Sequence, residues 1–169
     1  FLERRVIDEN LTNVKMKGFV NKKYIPFILG KSSVNILNYS QTQYNWSRGN
    51  SSNKLFEYMA SGKPIISTVK MGYSIIDKYK CGIELEESTP ESLAEAILKM
   101  KNMSKEKYKQ LGINAAKGAM DFDFSKLTIK LLEVVNFCAE RIWKKLTKTV
   151  VRYWNDKIIV NWIWYTLGY

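Results

Sequence analysis

The run Ile65-Ile66-Ser67-Thr68 is β-branched at three of its four positions and does not alternate apolar with polar residues. A strand with one solvated face alternates. A short run without alternation marks a strand buried on both faces, which belongs in a parallel sheet covered by helices on either side. The flanks agree with this. Upstream, Leu55, Phe56 and Met59 recur at helical spacing, Gly62 stands where a left-handed C-cap is wanted, and Pro64 blocks continuation. Downstream, a short helix is expected from Gly72 to Tyr79, ended by Gly82, and then a strand from Ile83 to Leu85.

The same alternation extends in both directions. Leu2 to Ile7 reads as the closing turns of a helix, and residues 13–18 as a short strand whose apolar positions alternate before Gly18. A brief helix opened by Pro26 and a strand from Val34 to Leu37 follow. Thr89-Pro90-Glu91 supplies a hydroxyl N-cap, a proline in the first turn and an acid at the positive end of the dipole. Leu93, Ile97 and Met100 form a core stripe behind it. Ser104 caps a further helix through Leu111 and Ala115, and Ser125 opens a long one. Short strands alternating with helices define an α/β domain built on a parallel sheet.

Composition then removes whole classes of chemistry. The 169 residues contain no His, so Ser-His-Asp triads, His-containing zinc sites and imidazole relays are excluded. No metal site is expected. Carboxylates, lysines, hydroxyls and backbone dipoles remain. Cys81 and Cys138 lack CxxC spacing and read as reduced, small packing residues of a cytosolic protein. The chain opens on Phe1, and Arg4, Arg5, Asp8 and Glu9 interrupt its first residues, so no signal peptide is expected.

In an open parallel sheet, ligands bind beyond the carboxyl ends of the strands. The longest strand-to-helix connection is residues 38–53, and Ser51 or Ser52 can cap the helix that follows it. Its last residues, Arg48-Gly49-Asn50-Ser51-Ser52-Asn53-Lys54, place two cations, hydroxyls and free backbone N–H groups at a helix N-terminus, a combination suited to phosphate. A capped helix with solvated cations satisfies the same pattern. Tyr44 and Trp46 have two readings also: stacking on a base or sugar, or packing on their neighbours.

The run from Asn53 to Ile66, NKLFEYMASGKPII, resembles the donor-site segment of GT-B fold retaining glycosyltransferases of the family 4, or group 1, type that builds bacterial surface polysaccharides. Residues 13–20 (NVKMKGFV), 25–37, 82–94 and 111–116 resemble further segments of that family in the same order. The match covers residues 1–137. It implies a Rossmann-like parallel sheet flanked by helices, the C-terminal half of a GT-B fold truncated at its N-terminal edge. Residues 1–140 are expected to form this partial donor domain and residues 141–169 a helical tail.

The resemblance also implies roles. Glu57 would accept hydrogen bonds from the ribose hydroxyls of the nucleotide, as an ionised acceptor binds a diol in bidentate fashion. Gly49, Ser51, Ser52, Asn53 and Lys54 would hold the diphosphate and adjoining sugar, and the Gly18-Phe19-Val20 turn would receive the base. Read without the family, Glu57 is a solvated helix residue pairing with Lys54 or Ser61. Many relatives carry a second Glu eight residues before this one. Here that position is Gly49, which admits a backbone N–H to the sugar or phosphate instead. The donor is a UDP- or GDP-sugar, a substrate rather than a cofactor. The acceptor is a lipid-linked saccharide. The catalytic basic residues and the N-terminal acceptor domain are expected outside these residues, so the 169 residues alone are expected to be inactive. The alternative is an inert nucleotide-sugar binding remnant.

The +11 net charge is uneven. Residues 141–169 hold Arg141, Lys144, Lys145, Lys148, Arg152 and Lys157 against Asp156, together with Trp143, Trp154, Trp162 and Trp164. This basic, Trp-rich end has two readings: binding to a membrane surface, or packing on the missing domain. The first places the protein in the cytoplasm, peripherally on the inner face of the cell membrane. Nucleic acid is not an expected partner, because no recognition module is present.

Overall fold

The computed structural model describes residues 1–39 and 52–166, with side chains described as far as Arg152. Its elements in chain order are α1 (Leu2–Asp8), α2 (Ile25–Lys31), β1 (Asn35–Leu37), α3 (Asn53–Ala60), β2 (Ile65–Ser67), α4 (Ile75–Tyr79), β3 (Gly82–Glu84), α5 (Pro90–Lys101), α6 (Lys105–Ala119) and α7 (Phe124–Thr166). Two 3-10 turns, Lys22–Tyr24 and Met120–Phe122, precede α2 and α7. The chain divides into two compact units, Phe1–Met120 and Asp121–Tyr169.

In the first unit the three strands form one parallel sheet in the order β1-β2-β3, with Asn35 opposite Ile65 and Ile65 opposite Gly82. All three residues of the central strand β2 are buried, which its unbroken β-branched run requires. Ile66 packs with Leu85, Ala96 and Met100, the last two from α5. Ile65 and Ser67 point to the other face, since successive strand side chains alternate. Leu55 and Met59 of α3 are fully buried, and α3 lies against α6 and β1.

The glycines of α6 permit that close approach. A Cβ on Gly112 would overlap the Gly62 carbonyl oxygen, and one on Gly118 would come within 2.6 Å of Met59 Cε. Gly62 itself has φ +67°, the left-handed conformation anticipated after α3. Thr89 and Ser104 accept hydrogen bonds from the Ser92 and Lys107 amides, capping α5 and α6 as their sequences specify.

Several local expectations are corrected. Residues 13–18 form no strand: no described strand pairs with them, and a strand without a ladder partner has nowhere to satisfy its backbone. The left-handed residue ending α4 is Lys80 (φ +50°), held by Asn114 Nδ2, which donates to the Lys80 carbonyl at 3.0 Å. Gly82 instead opens β3. Asp123, not Ser125, caps α7: its Oδ1 accepts from the Ser125 amide, the second of the helix, at 2.9 Å. Ile97 is 42% exposed, because Ala96 and Met100 are the buried residues of α5, with Leu93 packed against them. Cys81 is buried as expected, whereas Cys138 is exposed on α7.

Candidate functional site

A cavity of about 230 Å³ lies between α2 and α3, lined by Lys22, Ile25, Pro26, Leu29, Glu57, Ala60 and Ser61. Its two walls are held apart by a polar clamp beneath it. Buried Asn35 of β1 donates from Nδ2 to Ser61 Oγ at 2.9 Å, and Ser61 Oγ donates to the Tyr58 carbonyl at 2.6 Å. On the α2 side, Ser32 Oγ sits 2.8 Å from Asn35 Oδ1 and 2.7 Å from the Leu29 carbonyl. One buried amide thereby ties the C-terminal ends of both walls to the sheet. A paired buried amide of this kind specifies geometry, because losing either partner strands the other.

Glu57 sits on an exposed face of α3 and enters this cavity across from Lys22. Neither Glu57 nor Lys54 has an ion-pair partner among the described residues, so the Glu57–Lys54 pair that the sequence also allowed does not form. Gly18, with φ +63°, opens the segment that leads through Phe19, Val20 and Asn21 to Lys22. Phe19 is 95% exposed, a bare aromatic face just ahead of the cavity wall in sequence. Asn21 Oδ1 accepts from the Lys23 amide at 3.1 Å and so fixes the turn that carries Lys22.

At its other end α3 begins beyond the carboxyl ends of β1 and β2. Ser52 occupies the N-cap, yet its hydroxyl does not bond to the helix amides; it accepts from Tyr39 Oη at 2.6 Å. Among the described residues, the amides of Asn53 and Lys54 are thus left without a side-chain cap. Tyr39, the second residue after β1, donates its own amide to Thr68 Oγ1 at 2.8 Å, joining the ends of the two strands. Burial, together with the neighbouring Tyr39 and Glu57, pushes the Tyr58 phenol above its ordinary range. Gly49 and Ser51, with Tyr44, Trp46 and Arg48, lie outside the described residues.

A second cavity, of about 430 Å³, lies where β2 and β3 end, lined among others by Lys70, Ser74, Asp77, Glu84 and Glu86. Lys70 pairs with Glu86 at its rim. Among the described residues Glu84 Oε1 is buried with no hydrogen-bond partner, and desolvation, outweighing the hydrogen bonds that Ser74 and the Met71 backbone give the carboxyl, holds it above its ordinary range. Among the described residues no group of three Cys, Asp or Glu side chains is placed to hold a metal ion.

Sequence reasoning placed Glu57, Lys54 and Ser52 on one helix and the Gly18 turn elsewhere. The structure brings Glu57 together with Lys22, and Ser52 together with Tyr39. It also adds Asn35, Thr68 and Glu84, none of which a local motif announces. A polar residue inside an apolar strand, as Asn35 is in β1, was the available signal.

The open parallel sheet flanked by helices matches one Rossmann-like half of the GT-B fold. Sucrose-phosphate synthase from Thermosynechococcus elongatus has this fold: it matches with a TM-score of 0.61 at 18% identity, over 82% of this chain and 34% of that one. The chain thus spans about a third of that neighbour's length. Residues 2–118 match the family of glycosyl transferases, group 1, and the chain belongs to that family. No curated protein matches it at a significant level.

Proposed function

We propose that the crevice along α3 binds the nucleoside diphosphate of an activated sugar, which serves as donor for glycosyl transfer. The observation that carries this reading is the placement of Glu57 in the wall of the cavity between α2 and α3, without an ion-pair partner among the described residues, on the helix whose N-terminus is uncapped by its own Ser52. At 1.5 Å of rise per residue, Glu57 lies about 6 Å along the axis from Asn53. That spacing suits a ribose diol on the carboxylate and a diphosphate at the helix N-terminus. There the dipole and the Asn53 and Lys54 amides attract negative charge, and Lys54 adds a cation. Lys22 faces the cavity as a donor toward ribose or base, and Phe19 offers a surface on which a base can stack.

The family resemblance of residues 53–66 extends the proposal to a retaining transferase that moves a hexosyl group to a lipid-linked saccharide in surface-polysaccharide assembly. The groups that stabilise the leaving diphosphate and position the acceptor hydroxyl are not assigned among the described residues.

Calorimetric titration with UDP and GDP tests the donor site. Glu57→Gln keeps the shape and removes the charged acceptor, and a hydrogen bond to a charged group contributes about 1.5–3 kcal/mol, so affinity is expected to fall about tenfold to a hundredfold. Glu91→Gln, at the start of α5, serves as the control. Undiminished binding by the Glu57 variant would refute the assignment.

A further inference from the structure

We propose that α7 is an interfacial helix that lies on an anionic lipid surface. It is one uninterrupted helix from Phe124 to Thr166, about 65 Å long at the standard rise. Leu131, Val135, Ile142, Leu146 and Val150 follow one another every four or seven residues along it, so they share a stripe. Each is more than half exposed. Lys130, Lys144 and Lys148 occupy the opposite side, and Trp143 flanks the stripe. Between Phe124 and Arg152 seven basic residues stand against Glu133 and Glu140.

Charge decides the occupant of the stripe. A second copy of α7 would bring two strongly cationic helices together, each with eight basic residues against three acids, and like charges along a helix pair select against that association. An anionic surface matches the excess, at a distance where the headgroup field still acts. No described helix is long and apolar enough to cross a bilayer, so α7 lies along the surface. Trp154, Trp162 and Trp164 continue the sequence of α7 with the residue type that favours the headgroup level.

Flotation of the whole chain tests this, using vesicles of phosphatidylcholine alone and vesicles in which about 30% is replaced by phosphatidylglycerol. The protein is expected to float with the anionic vesicles and to stay behind with the neutral ones. Lys144→Gln with Lys148→Gln should weaken partitioning about 25-fold, at roughly fivefold per cation. Ile142→Asn with Leu146→Asn should abolish flotation while circular dichroism and UDP titration stay unchanged, since both residues are exposed. Flotation that is absent, equal on both vesicle types or indifferent to these variants would overturn the proposal. A dimer in solution that the Asn variants dissociate would overturn it as well, by assigning the stripe to a second copy.

Discussion

Replacing Gly82 with alanine probes the contact on which the parallel sheet is built. Gly82 stands opposite Ile65 in the β2–β3 register. A Cβ there would overlap the Ile65 carbonyl oxygen and would lie 2.8 Å from its carbonyl carbon and 3.1 Å from its nitrogen, where ordinary contact begins at 3.4 Å. These are backbone atoms of a strand buried on both faces, so no rotamer change relieves the overlap, and the two strands must part by about an ångström. The Ile65 amide donates to the Cys81 carbonyl at 3.1 Å and the Leu85 amide to the Ser67 carbonyl at 2.9 Å. Parting the strands takes the first of these beyond hydrogen-bond range and leaves a buried donor and acceptor unmet, at about 1–3 kcal/mol each. Alanine offsets about 0.4–1 kcal/mol of this by restricting the unfolded chain. A net loss of roughly 2–4 kcal/mol lowers Tm by about 10 °C in a chain of this size. Gly30→Ala is the matched comparison: it lies in α2, where a side-chain carbon would meet nothing within 4 Å, and should melt at or slightly above the wild type. Thermal melts followed by far-UV circular dichroism read both. A Gly82 variant melting within about 2 °C of the wild type, or a Gly30 variant losing as much, would refute the reasoning.

Two further outcomes follow from buried groups. Desolvation raises the Glu84 carboxyl above the ordinary 4.5, so the native state holds that proton more tightly than the unfolded chain does; stability therefore declines as pH rises from the unfolded value through the native one. Glu84→Gln should accordingly raise Tm near pH 7 and confer little near pH 4, and an equal gain at both would contradict this account of its burial. Burial also pushes the Cys81 thiol up to about 11, while Cys138 is exposed, so a thiol reagent should titrate one cysteine in the native protein and the second only on unfolding. Rapid reaction of both would show that the packing around Cys81 opens.

The layer architecture was legible wherever the signal was local. Thr89, Ser104 and Gly62 announce helix ends through chemistry confined to one turn, and the β-branched run at Ile65 announces a strand with two covered faces. The same logic erred where a local pattern had competitors. Residues 13–18 alternate like a strand but lack a described neighbour to pair with, and Gly82 looked like a helix stop when its lack of a side chain serves the approach of β3 to β2. Lys80 takes the left-handed position instead, because Asn114, thirty-four residues away, supplies the missing donor.

The sequence by itself determined the fold class, the membership in the group 1 glycosyl transferases and the identity of α3 as the helix that carries Glu57. These follow from periodicity, caps and a contiguous motif, all encoded within a few neighbouring residues. Only the tertiary structure decided what Glu57 faces. Lys22 reaches the same cavity from a turn before α2, Tyr39 takes the hydroxyl of Ser52 away from its helix, and Asn35 ties both cavity walls to the sheet. Each of these depends on residues brought together by strand register and helix packing across long stretches of chain, and no periodicity in the sequence records such a distance.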